Sequence, residues 1–128
     1  MSNTEKNTTL SVSEKMQQIA LWLDEKKGRD ILALDVAGLS GITEGVVVVT
    51  AGSLKHGQAL ADYVLDKSGE AGWEYLGMEG YKSNAWILVD LNDVLVHVFQ
   101  EDSRDFYNLE GLWAEAERLE LNFAESDN

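Results

Sequence analysis

Residues 86–99 read WILVDLNDVLVHVF, from Trp86 to Phe99. Two apolar runs flank Asn92-Asp93, a pair suited to a tight turn, so the stretch is a β-hairpin signal. Side chains alternate across a strand. Trp86, Leu88 and Asp90 therefore share one face of the first strand, and Ile87, Val89 and Leu91 share the other. Both faces are apolar. Either helices bury the two of them, or the Trp86–Leu88 face stays open and anchors a partner, a role for which Trp is favoured.

Working outward, WEYLGMEG (73–80) reads as a short strand plus a turn, so three strands run consecutively through residue 99. Upstream, VVVVTA (46–51) is a continuous β-branched run, expected to be buried on both faces. The segment after it predicts a helix over 54–68, capped by Ser53, with Leu54, Ala61, Val64 and Leu65 near one face and Gly69 and Gly72 at its end. DILALDV (30–36) is a strand, followed by the loop GLSGITEG (38–45). Before it, VSEKMQQIALWLDEKKG (12–28) carries Met16, Ile19, Ala20 and Leu23 at helical spacing. Ser11 or Ser13 caps that helix, Lys26 and Lys27 sit in its last turn, and Gly28 stops it. The acidic segment 100–121 reads as helical, in two short pieces broken near Asn108. The order α-β-β-α-β-β-β-α predicts an α/β fold, one mixed sheet of about five strands flanked by helices. The expected organisation is a disordered tail over 1–10, a single domain over 11–121 and a polar tail over 122–128.

The chain has 128 residues, of which 45% are hydrophobic. That suffices for one domain with its own core and argues against disorder of the whole chain. Cysteine is absent, which excludes disulfides, thiolate catalysis and cysteine zinc sites. No apolar run is long enough for a bilayer span, and no apolar h-region marks a secretory signal, so a cytoplasmic protein is expected. The formal net charge is -13. Such a chain repels phosphate backbones, so direct DNA binding and extensive RNA contact are not expected. A basic protein partner fits better, although acidity also serves solubility alone.

Three constellations could carry chemistry. Gly52-Ser53 opens a helix after a strand, where free N–H groups and the positive dipole end suit phosphate. A similar turn occurs in nucleotidyltransferases, but the spaced carboxylates that hold their metal are missing from the following segment, which offers Asp62 and Asp66 on a helix. A capped helix explains the pair equally well. His56, beside Lys55, lies in the first helical turn, where a cationic ring is disfavoured, and reads as structural. Asp90, Asp93 and His97 are residue types that bind metal, yet no spacing converges them and no nucleophile accompanies them. Asp at a turn is ordinarily explained by local backbone hydrogen bonds. No cofactor, metal or catalytic residue is expected. The alternative is a metal-dependent nucleotidyltransferase or phosphate-binding enzyme.

Several ordered motifs carry a further signal: DILALDV, the G-S-x-x-H-x-x-A-L-A-D run from Gly52 to Asp62, G-x-E-G from Gly77 to Gly80, W-I-L-V-D-L-x-D-V-x-V-H-V-F from Trp86 to Phe99, and R-x-F-Y-x-L-E-x-L-W from Arg104 to Trp113. On these the chain resembles the ribosomal silencing factor (RsfS, or Iojap-like) family over roughly residues 13–113. It departs from the family pattern at Glu44-Gly45, at Leu54 and Lys55, and at Asn92, which replaces a frequent glycine. The resemblance implies a nucleotidyltransferase-like sheet without catalytic carboxylates, and a binding function rather than an enzyme. It implies attachment to the large ribosomal subunit through ribosomal protein L-fourteen, blockage of small-subunit joining under nutrient limitation, and a homodimer in the free state. Carried over by motif, Trp86 is the leading anchor, with Ile87, Leu88 and Asp90 beside it. Glu79 and Asp93 would pair with basic side chains of the partner, and Tyr107 joins them. His56 and His97 match family positions and are expected to be structural.

Overall fold

The computed structural model describes residues 10–39, 41, 43–82, 85–108, 111 and 114–123, with only the backbone of Phe106 and Tyr107. The expected tails fall largely outside these residues. The elements in order are α1 (Val12–Glu25), β1 (Arg29–Asp35), β2 (Gly45–Ala51), α2 (Leu54–Glu70), β3 (Gly77–Glu79), β4 (Trp86–Asp90), β5 (Val94–Gln100), α3 (Glu101–Tyr107) and β6 (Glu117–Arg118). They form one six-stranded sheet in the order β3-β4-β5-β2-β1-β6. The central pair β2–β5 is parallel, and β1–β2, β1–β6, β3–β4 and β4–β5 are antiparallel. The mixed sheet flanked by helices is as expected, with one strand more.

Every residue of β2 is buried, as its unbroken β-branched run requires. Val47 and Val49 face a core built by Met16, Ile19 and Leu23 of α1 and Leu60, Ala61 and Val64 of α2. Val46 and Val48 face a smaller cluster with Leu34, Val36 and Phe99, joined by Leu32, Trp86 and Ala116. Both long helices therefore lie on one side of the sheet.

Local signals explain the helix ends. Ser11 accepts from the Glu14 N–H and Glu14 accepts from the Ser11 N–H, a reciprocal capping box. At the other end α1 stops at Glu25, one residue before the expected lysines. Gly28 N–H donates to the Leu23 carbonyl and Lys27 N–H to that of Asp24, the bond pair of a Schellman motif. The left-handed position is Lys27, at φ 67°, rather than Gly28. Gly28 is needed for a different reason: a Cβ there would lie 2.6 Å from Val49 Cγ2. Ser53 caps α2 as expected, but Leu54 is 57% exposed and Gly57, Leu60 and Ser68 belong to the buried stripe instead.

The helical reading fails at residues 114–121. Glu117 and Arg118 form β6 against Asp35 and Leu34, and Leu119 N–H donates to the Ala33 carbonyl. The open edge of β1 offers unpaired backbone groups, and satisfying them outweighs the high intrinsic helix propensity of the Ala, Glu, Arg and Leu in AEAERLEL. Gln17 pins the continuation to α1: its Nε2 donates to the Glu120 carbonyl and its Oε1 accepts from Asn122 N–H. Residue 122 is thus attached to the domain, where the polar tail was expected to begin.

Candidate functional site

The two-residue turn fixes the hairpin register. Leu91 N–H donates to the Val94 carbonyl, and Trp86 pairs with Phe99, Leu88 with His97 and Asp90 with Leu95. Asn92 takes φ 79°, a left-handed conformation that Asn tolerates where glycine is frequent. Its N–H donates to Asp90 Oδ1 at 2.9 Å, so Asp90 closes an Asx turn.

The register places Trp86, Leu88, Asp90 and Leu95 on the side of the sheet opposite α1 and α2, all half-buried. The two long helices, α1 and α2, cover the Ile87–Val89 side; on the Trp86 side Arg104 of α3 donates to Thr50 Oγ1 at 2.8 Å, beside Phe99. Trp86 packs against Phe99, with ring centroids 5.1 Å apart, and against His97 at 5.7 Å. Its indole Nε1–H donates to His97 Nδ1 at 3.0 Å. An indole nitrogen only donates, so Nδ1 is the acceptor and the imidazole carries its proton on Nε2. His97 is 5% exposed, and burial pushes its pKa down from 6.5 to about 4. The ring is neutral at physiological pH.

Strand β3 sets the rim. Glu79 pairs with Leu88 and its side chain is exposed. Glu79, Gly80, Trp86 and Leu88 line a recess of about 220 Å³. Gly80 has φ 82°, and a Cβ there would run into the Trp86 carbonyl oxygen. The G-x-E-G motif thus serves the position of Trp86.

The other expected residues fall elsewhere. Ile87, expected beside Trp86 at a partner surface, is 0% exposed in the helix-side core, since period two turns it away from Trp86. Asp93 lies at the turn, where Oδ2 accepts from Lys15 Nζ at 2.8 Å and the backbone carbonyl accepts from Glu44 and Gly45 N–H. The Tyr107 side chain lies outside the described residues. The sequence reasoning missed the Trp86–His97 bond, although its signal was present. A two-residue turn at Asn92-Asp93 makes the two residues diagonal neighbours, within reach of long side chains.

The Gly52-Ser53 turn is occupied by the chain itself. Gly52 N–H donates to His56 Nδ1 at 2.8 Å, His56 N–H to Ser53 Oγ, and Gly57 N–H to the Ser53 carbonyl. His56 Nε2 then donates to the Lys26 carbonyl at 2.7 Å, which ties α2 to the end of α1. The N–H groups of Gly52, His56 and Gly57 are thereby engaged within the chain. Asp62 accepts from the Tyr81 hydroxyl at 2.8 Å, and the carboxylate raises that phenol's pKa. Among the described residues no three or more His, Asp or Glu side chains gather as a metal site, and no helix is long and apolar enough to cross a membrane.

A family model described as "Ribosomal silencing factor during starvation" matches residues 9–128. The chain belongs to the ribosomal silencing factor (RsfS) family. Among its similar proteins, the ribosomal silencing factor RsfS of Bacillus subtilis is 43% identical over 100 residues, 78% of this chain and 85% of that one. The RsfS of Halalkalibacterium halodurans is 38% identical over 112 residues, covering 88% and 96%. The chloroplastic protein Iojap of Zea mays is 35% identical over 99 residues, 77% of this chain and 43% of that longer one. Two solved structures share the fold. A Bacillus halodurans protein has a TM-score of 0.74 at 37% identity, covering 84% of this chain and 98% of its own. A Chromobacterium violaceum protein has 0.76 at 36%, covering 89% and 93%.

Proposed function

We propose that this chain is a ribosomal silencing factor that acts by binding. It attaches to the large ribosomal subunit through ribosomal protein L-fourteen and occupies space the small subunit needs. Translation is thereby repressed when nutrients are limiting. The site is the Trp86–Leu88 face with Asp90, rimmed by Glu79, and no cofactor or catalytic group takes part. The factor works in the cytoplasm and is a homodimer when free.

The observation that carries this reading is the sheet face itself. Trp86 and Leu88 remain half-buried on the side that α1 and α2 leave uncovered, with two carboxylates around Leu88: Glu79 beside it on β3 and Asp90 two residues on along β4. An apolar centre with an acidic rim suits a basic protein surface, and the net charge of -13 disfavours rRNA as the principal contact. A standard interface covers about 800 Å² per partner, so the Trp86–Leu88 recess would be its centre and neighbouring residues its rim. Occlusion of a subunit surface requires no chemistry.

The test is co-sedimentation with separated subunits. Wild type is expected with the large subunit alone, and Trp86→Ala or Asp90→Arg is expected to lose it while the far-UV circular dichroism is unchanged. Normal binding by both variants would refute the site assignment, and no binding by wild type would refute the function.

A further inference from the structure

The buried imidazole of His97 is an unusual side chain for its place. Its neighbours on the same face are Val46, Val48, Phe99 and Trp86, and a phenylalanine or leucine would fill a comparable volume without the cost of burying a polar ring. What an apolar residue cannot do is accept the Trp86 indole proton. Nδ1 does so at 3.0 Å, and the His97 ring lies nearly parallel to that of Phe99, 9° between planes and 6.1 Å between centroids. The imidazole is thereby locked by Phe99 on one side and bonded to Trp86 on the other. Gly80, just after β3, lets the chain lie close against the Trp86 carbonyl, and His97 holds the Trp86 side chain from β5.

We propose that His97 is a positioning residue for the binding face: it fixes the orientation of the Trp86 indole, and so the shape of the recess, before a partner arrives. The inference rests on the proposed function, since it assigns His97 a part in the same recognition event. Without the acceptor, the indole N–H gains by turning to water, and the half-buried ring then samples more than one rotamer. Freezing a side chain on binding costs roughly 0.5–1.5 kcal/mol, which corresponds to a loss of about 2- to 12-fold in affinity. A residue acting only through packing would show no such dependence on an acceptor at the Nδ1 position.

The test pairs His97→Phe, which keeps an apolar ring and removes the acceptor, with His97→Asn, whose side-chain oxygen falls near the place of Nδ1. The indole N–H resonance of Trp86 is followed by 15N NMR in the free protein, assigned through Trp86→Phe, and affinity for purified large subunits is measured alongside. Movement of the resonance and a several-fold loss of affinity in His97→Phe, both reversed in His97→Asn, is the expected result. A Trp86 resonance unmoved in His97→Phe overturns the inference. So does unchanged affinity in both variants when wild type binds, and in that case the proposed function stands. No binding by wild type overturns the function and the inference together.

Discussion

Lys15 Nζ on α1 lies 2.8 Å from Asp93 Oδ2 in the β4–β5 turn, and each side chain is mostly shielded from water. The Asp93 carbonyl accepts two N–H groups at the start of β2, so one residue couples a helix, a hairpin and the central strand. The Lys15 ammonium also stands 5.6 Å over the Trp73 ring. Removing one member of a partly buried pair leaves a charge poorly compensated. Lys15→Met is therefore expected to lower unfolding free energy by about 1–2 kcal/mol in urea titrations. A double-mutant cycle with Asp93→Asn should return coupling of roughly 0.5–1.5 kcal/mol; additive effects would contradict the pairing.

Burial lowers the His97 pKa from 6.5 to about 4. Between these values the unfolded chain binds a proton on this ring and the folded chain does not. Stability from this group is fully present above about pH 6.5, declines as pH falls toward 4, and changes no further below it. A shift of that size is worth on the order of 3 kcal/mol. His97→Phe should therefore lose less stability than wild type between pH 6.5 and 4.5, measured by denaturant midpoints. Parallel curves would contradict the buried neutral ring.

Adjacent substitutions at the end of α1 should act in opposite directions. Lys27→Gly relieves a left-handed backbone held by a residue with a Cβ and should stabilise by roughly 0.5–1 kcal/mol. Gly28→Ala forces a methyl toward Val49 Cγ2 and should destabilise by about 1–3 kcal/mol. Thermal melts of the two variants decide it; equal effects of one sign would refute the geometry.

Nucleotides should not stabilise the protein. The Gly52 N–H is bonded to His56 Nδ1, so a phosphate would have to break that contact. Melting with ATP or GTP and Mg²⁺ is expected to match melting without them, since a ligand of the folded state raises the midpoint in proportion to its occupancy. A concentration-dependent rise would revive the enzyme reading.

Much of this fold was legible from residue pattern. The run VVVVTA implied a strand covered on both sides, Ser53 marked its helix start by side-chain chemistry alone, and Ser11 was one of two serines that could cap the first helix. Two misreadings share a cause. AEAERLEL is built of strong helix formers, but the free edge of β1 pairs Glu117 and Arg118 as a strand. Leu54 was assigned to the buried stripe by residue type, yet the rotation of α2 set by Leu60, Ala61 and Val64 leaves it outside. Such outcomes depend on which surfaces meet. The site was legible to the same depth. Period two separated Trp86 and Leu88 from Ile87, but could not say which side the helices cover. The family motif carried Ile87 along with its neighbours, and the sheet separates them.

The most direct measurement is light scattering as small and large subunits are mixed. With the protein present in excess, the rise that reports joined ribosomes should be suppressed. Leu88→Asp, which places a charge in the Trp86 recess, should restore it. A rise undiminished by wild type, or equally suppressed by wild type and Leu88→Asp, would contradict occlusion through this face.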